Sequence, residues 1–291
     1  MIVAFALFGR VILNYTQVQL LTRIAGLLRS AIAVRLVAES ALAFAAQAKY
    51  SGNPGNRVAE GIMGRRRGRA LGGGGAVVDA RVERMWSAEI AEQDVAAIGA
   101  ECNGWLIGDD DEVIVIDPGD DGEAVFEQVG DREILAVICT HGHGRHVAAA
   151  VEVAARDEAP VALHRSDRLF WRMSHPDVQP EIEMADGGRF EVADVALEVI
   201  HTPGHTPGSV SLYCEELDLV FTGDTLVAVG PVPHEGEYPD FAGQLTAIGE
   251  RLLDLPSATR VLPGHGEETT IGDAAKAFDG WVTAGPTITD L

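Results

Sequence analysis

From about residue 102 onward the chain alternates short apolar runs with turns rich in Gly, Asp and His. The run at 134–139, ILAVIC, is too short and too β-branched for a preferred helix and reads as a buried strand. Similar runs at 102–107 and 112–117 flank the acidic turn 108–111 and predict a hairpin. Further strands are expected at 160–163, 190–192, 195–200, 209–214, 217–221 and 260–262. Helices are expected at 122–129, from 146 through the Ala-rich HVAAAVEVAA, at 166–173 with Ser166 or Asp167 as cap, at 241–253 and at 272–281. Strands and helices in this order predict a layered α/β domain of two sheets, about 210 residues long when taken as 82–291.

Residues 1–81 are a different material. Ala, Leu, Val and Arg dominate 1–48, and 51–75 breaks into SGNPGN, GRRRGR and a run of four glycines, which is linker composition. This segment holds ten Arg, one Lys and three acids, a net of +8, and the remaining 11 basic and 41 acidic residues leave 82–291 at -30. Residues 1–81 are therefore read as a basic, Gly/Arg-rich extension with little fixed structure, in preference to an amphipathic anchor for a membrane surface or an anionic partner. A surface at -30 disfavours nucleic acid, because the phosphate contribution to binding would be repulsive. No run reaches the 18 or so apolar residues needed to span a bilayer, so no transmembrane helix is expected. Cys102, Cys139 and Cys214 lack C-x-x-C spacing and read as reduced core residues of a cytoplasmic protein.

The chemistry concentrates in four turns, each following an apolar strand and bearing Gly beside a His or Asp: His141, His143 and His146; His205; Asp224; and His265. Imidazoles two residues apart on an extended turn can converge on one ion, and an adjacent glycine lets the backbone approach without a side-chain clash. His201 reads as a turn residue, and His164 and His175 as packing or surface histidines. His234 and Tyr238 fall on a loop that could line a substrate cleft.

The ordered set THGHGRH, HTPGHTPGS, FTGDTL and LPGHG resembles the successive motifs of the metallo-β-lactamase fold hydrolases, a superfamily that includes glyoxalase II-like thioesterases. The resemblance covers roughly residues 82–285, and the chain is similar to small actinobacterial members. It implies an αββα sandwich with a metal site along one edge, and Asn103 and Asp117 resemble family positions that shape the sheet edge, a structural role. It also implies that His141, His143 and His205 hold a first metal, that Asp224 bridges, and that His146 and His265 serve a second. One position departs: the family pattern is H-x-H-x-D-H, and Arg145 stands where the aspartate belongs. Arginine stays protonated and offers no lone pair. A unit charge pair at about 4 Å and an effective dielectric near 20 is worth roughly 4 kcal/mol, and a divalent ion doubles the repulsion. One ion at the first site is expected, with the second weak or empty.

Imidazoles with a carboxylate suit zinc, with iron possible, and either would activate a water that Asp224 orients as general base. Arg145 then either holds an anionic substrate group or oxyanion, or fills the second site as a salt bridge to Asp224. The leading expectation is a metal-dependent hydrolase of a small ester or thioester. The alternatives are an oxidoreductase resembling mononuclear iron persulfide dioxygenases and a catalytically degenerate binding member of the fold. A glutathione-specific enzyme is not expected, because only 26 residues follow His265 and full glyoxalase II enzymes carry a further helical region there. Neither the substrate nor the oligomeric state is set by the sequence.

Overall fold

A computed structural model describes residues 79–86, 102–232 and 240–285. Residues 1–78, which make up most of the expected extension, lie outside it, as do His234 and Tyr238. Among the described residues, twelve strands form two six-stranded sheets. The first runs in the order β1 (Arg81–Trp86), β2 (Asn103–Gly108), β3 (Glu112–Ile116), β4 (Glu133–Ile138), β5 (Val161–His164) and β6 (Ile182–Met184), antiparallel up to β3 and parallel beyond it. The second runs β12 (Thr269–Thr270), β11 (Arg260–Pro263), β10 (Leu219–Gly223), β9 (Val210–Cys214), β8 (Val195–His201) and β7 (Arg189–Val192), with only β10 and β11 parallel.

The strict alternation of a pleated strand sorts the side chains into three cores. Trp105, Ile107, Ile114, Ile116 and Ile138 face Leu197, Leu212 and Phe221 across the middle of the sandwich. Leu106, Val113 and Val115 point the other way, under α1 (Gly122–Val129), α2 (Gly144–Val147), α3 (Ala150–Ala155) and α4 (Arg168–Ser174). Val220 and Val261 lie beneath α5 (Phe241–Ala247), its π-helical continuation Ile248–Leu252, and α6 (Ile271–Ala284). Each sheet is thus covered on both faces, which is why its strands read as unbroken apolar runs rather than as alternating ones. The expected αββα sandwich is the observed fold. No helix among the described residues is long and apolar enough to cross a membrane.

Three strands escaped the hydrophobic pattern. β1, RVERMW, mixes three charged residues with three apolar ones at a sheet edge, and β6 and β12 have three and two residues. The helix expected from 146 breaks into α2 and α3, because the Ala149 amide donates to Gly119 O at 2.9 Å instead of continuing the helical ladder.

Candidate metal centre

The turns that leave β4, β8, β10 and β11 deliver the expected residues to one edge of the sandwich. His141, His143 and His205 bring donor atoms within 4.8 Å of one another. Asp224 Oδ2 lies 3.4 Å from His205 Nε2, 3.4 Å from His146 Nε2 and 3.8 Å from His141 Nε2, and Asp224 Oδ1 accepts from His265 Nδ1 at 2.8 Å. All six candidate metal-ligating positions therefore meet. Close approach depends on Gly264: a Cβ there would stand 2.4 Å from Asp224 Oδ1 and 2.9 Å from His146 Cε1.

Hydrogen bonds set which ring nitrogens face the centre. The one hydroxyl proton of Thr140 goes to Asp117 Oδ2 at 2.6 Å, so its 3.1 Å contact with His141 Nδ1 must be donated by the ring. Val232 O can only accept, so His205 Nδ1, 3.0 Å away, also carries a proton. Both residues are left with a bare Nε2 toward the centre, the form that ligates a metal. His205 Nε2 and His143 Nδ1 are 3.1 Å apart, near the edge of about 3.3 Å between two nitrogens around a tetrahedral zinc. His141 Nε2 and both ring nitrogens of His146 are buried and make no hydrogen bond. Each of these nitrogens faces a carboxylate oxygen at 3.4–3.8 Å without a hydrogen bond, and a converging set of buried nitrogens and carboxylates fits a cation.

The charges agree. Burial would raise Asp224, but His146 and His265 outweigh it and hold the carboxyl well below its usual range. Burial and the charge of His146 push His141 well below the ordinary imidazole value, favouring its neutral, ligating form. Burial lowers His265, yet the Asp224 carboxylate lifts it to about 9. Metal ligation would displace such protons.

Three contributors escaped the sequence reading. Asp117 does more than shape a sheet edge: it accepts from Thr140 N at 2.7 Å as well as from the hydroxyl, and its Oδ2 stands 3.4 Å from His146 Nδ1. Asp167 makes no cap hydrogen bond to α4. Its wholly buried carboxylate instead accepts from Gly142 N at 2.8 Å, Thr206 Oγ1 at 2.6 Å and Gly208 N at 2.6 Å, joining two ligand turns. Cys102, read as a core residue, has its Sγ 3.3 Å from His265 Nε2. Burial opposes its thiolate, but His146 and His265 bring the thiol down to about 7. No local motif marks these residues, since their partners are 23 to 163 residues away.

Arg145 is exposed on α2. Among the described residues the ion-pair partners of Asp224 are four histidines, so a salt bridge from Arg145 to Asp224 is not what the structure shows. His201 keeps the expected turn role, its Nε2 lying 3.1 Å from Pro207 O, and His175 Nε2 contacts Val147 O at 2.8 Å.

The family model of the metallo-beta-lactamase superfamily matches residues 98–265. The probable metallo-hydrolase YqgX of Bacillus subtilis is 32% identical over 185 residues, which covers 59% of this chain and 88% of YqgX. The hydroxyacylglutathione hydrolase GloC of Haemophilus influenzae is 27% identical over 199 residues, covering 63% of this chain and 93% of GloC. The crystal structure of TTHA1623 in a di-iron-bound form superposes with a TM-score of 0.53 at 29% identity, over 62% of this chain and 96% of that one. With two covered sheets, a converging donor set and a family match spanning the four motifs, the chain belongs to the metallo-beta-lactamase superfamily, whose members are generally metallo-hydrolases.

Proposed function

We propose that the chain is a metal-dependent hydrolase of a small ester or thioester, with its ion held by His141, His143, His205 and Asp224. The observation that carries this reading is the convergence of imidazole nitrogens around Asp224 Oδ2, with the tautomers of His141 and His205 set by Thr140 and Val232. A transition metal held there would bring the pKa of a coordinated water to about 7 and would polarise a carbonyl. Zinc is the proposed ion. Iron is the alternative, since imidazole suits both and TTHA1623 carries iron.

Asp224, held ionised beside His146 and His265, is assigned to orient the attacking water. Arg145, exposed beside His146, is assigned an anionic group of the substrate or the developing oxyanion, which a guanidinium meets with two parallel donors. A thioester is favoured because GloC is named for one. The expectation against glutathione thioesters loses its ground, because this chain spans 93% of GloC. We place the protein in the cytoplasm, where its three buried cysteines, none of them in a disulfide, would stay reduced.

The test is hydrolysis of a panel holding a hydroxyacylglutathione, a simple aryl ester and a β-lactam, by chain reloaded separately with zinc and iron. Chelator-sensitive thioester hydrolysis that collapses in Asp224→Asn is expected. Oxygen uptake with a persulfide by the iron form, and no hydrolysis, would replace this reading with the oxygenase one. Metal binding without turnover of any substrate would leave a binding member of the fold.

A further inference from the structure

We propose that Cys102, His146 and His265, with Asp224, form a second, thiolate-containing metal site, in which Cys102 takes the place of the aspartate that Arg145 has displaced. The inference rests on the metal-centre reading above but not on any particular substrate. Cys102 enters from the far sheet. It stands just before β2, bridges by backbone pairing to His265, and is fixed there by the Asn103 amide donating to Gly264 O at 2.7 Å. Asn103 Nδ2 also donates to Pro263 O at 3.0 Å and Gly266 O at 2.9 Å, which locks the His265 turn against the start of β2.

The donors are built for one point. Cys102, His146 and His265 are 3%, 1% and 9% exposed, and their ligand atoms all lie within 4.8 Å of one another. His265 Nδ1 is engaged with Asp224 Oδ1 at 2.8 Å, which turns its Nε2 to the sulfur. The 3.3 Å between Cys102 Sγ and His265 Nε2 is close to the edge of about 3.5 Å that a sulfur and a nitrogen make around a tetrahedral zinc. Asp224 Oδ2, 3.4 Å from His146 Nε2, supplies a fourth donor. A plain S–H···N hydrogen bond would explain the contact to His265. It does not account for His146, which comes to the same place with its ring nitrogens 3.4 Å from the carboxylates of Asp117 and Asp224 and hydrogen-bonded to neither.

The exchange conserves what a metal requires. A thiolate brings the same single negative charge as the missing carboxylate, from a position whose approach does not pass through α2. Its softness narrows the choice toward zinc or iron and away from magnesium and manganese. The other cysteines take no part: Cys139 lies in the core under α2 and α3, and Cys214 Sγ meets Glu216 at 3.6 Å.

Cobalt(II) replaces zinc and reports a sulfur ligand directly, through a sulfur-to-metal charge-transfer band in the near ultraviolet. The full chain, stripped with chelator and titrated with cobalt, is expected to bind two equivalents and to develop that band with the second. Cys102→Ser should bind one equivalent and show no band, and Cys214→Ser should keep both. The unmodified chain alone can refute the proposal, whatever the variants do to folding: cobalt binding with no sulfur band overturns it and leaves the first site standing. A band that survives in Cys102→Ser overturns it as well. Failure to bind any cobalt would overturn this proposal together with the metal-centre reading beneath it.

Discussion

Asp167 is the sharpest place to test how the centre is held, because it touches no proposed metal-ligating atom and yet joins the turns that carry three of them. Its Oδ2 takes the amide of Gly142, between His141 and His143, and the hydroxyl of Thr206, next to His205; its Oδ1 takes the amide of Gly208. Asp167→Ala would strand two buried backbone donors, at about 1–3 kcal/mol each. Thr206 would keep a partner in Ser209 Oγ, 2.7 Å away. Against this, burial already pushes the Asp167 carboxyl up, so deleting it relieves part of a desolvation penalty. The balance is a loss of about 2–4 kcal/mol in the chelator-stripped chain, read from urea denaturation.

Both ligand turns would also lose their fixed relation, and zinc affinity, measured against a chromophoric chelator, should fall about 10–100-fold. Asp167→Asn keeps one acceptor oxygen but presents an amide to one of the donors, so it should fall between. Stability within about 0.5 kcal/mol of the parent, together with unchanged zinc affinity, would refute the claim that this carboxylate holds the centre in shape.

Two further outcomes follow from particular residues. His164, stacked on His201 with ring centroids 4.4 Å apart, is held at about 4 by burial, then by the charges of His201 and Arg165. The unfolded chain therefore binds a proton between about 6.5 and 4 that the folded chain refuses, so this residue's contribution is present above pH 6.5 and is lost as pH falls. With solvent screening allowed for, His164→Gln should recover about 1–2 kcal/mol at pH 4.5 relative to pH 7.5, and an unchanged acid limb in paired denaturant curves would count against it. Arg145→Asp, placed in the Cys102→Ser background, should raise bound cobalt from one equivalent back to two by restoring the family ligand; a titration still ending at one would show that α2 does not present position 145 to the metal.

Most of the layer structure could be read from residue order because both sheets are buried on both faces. β2, β3, β4 and β10 are nearly continuous apolar runs, three of them ended by Gly or Asp, and a run that must be dry on two sides has little freedom to look otherwise. β1 defeated the same logic. Its edge position lets Arg81 and Glu83 pair with each other and with Asp110 and Arg132, so polar residues satisfy a strand that has one neighbour only. The candidate metal-binding histidines stand out along the chain for a different reason: each has a glycine within two residues, which lets a turn approach a shared point, and that feature is local.

What shapes those ligands is not local. Thr140 fixes the tautomer of His141 only because Asp117, 23 residues earlier, takes its hydroxyl proton. Cys102 meets His265 across 163 residues and from the other sheet. The consequence bears on how Arg145 is understood. Judged along the chain, arginine at that position removes a donor and adds a repelling charge, and the second site looks lost. Judged in space, the arginine is exposed on α2, while the Cys102 sulfur lies within 4.8 Å of ring nitrogens of His146 and His265. A ligand set belongs to a point, and the elements that surround the point can exchange the duty of supplying it. A substitution at one family position is therefore evidence about the metal only after every side chain within reach of that point has been counted, and here the count includes Cys102.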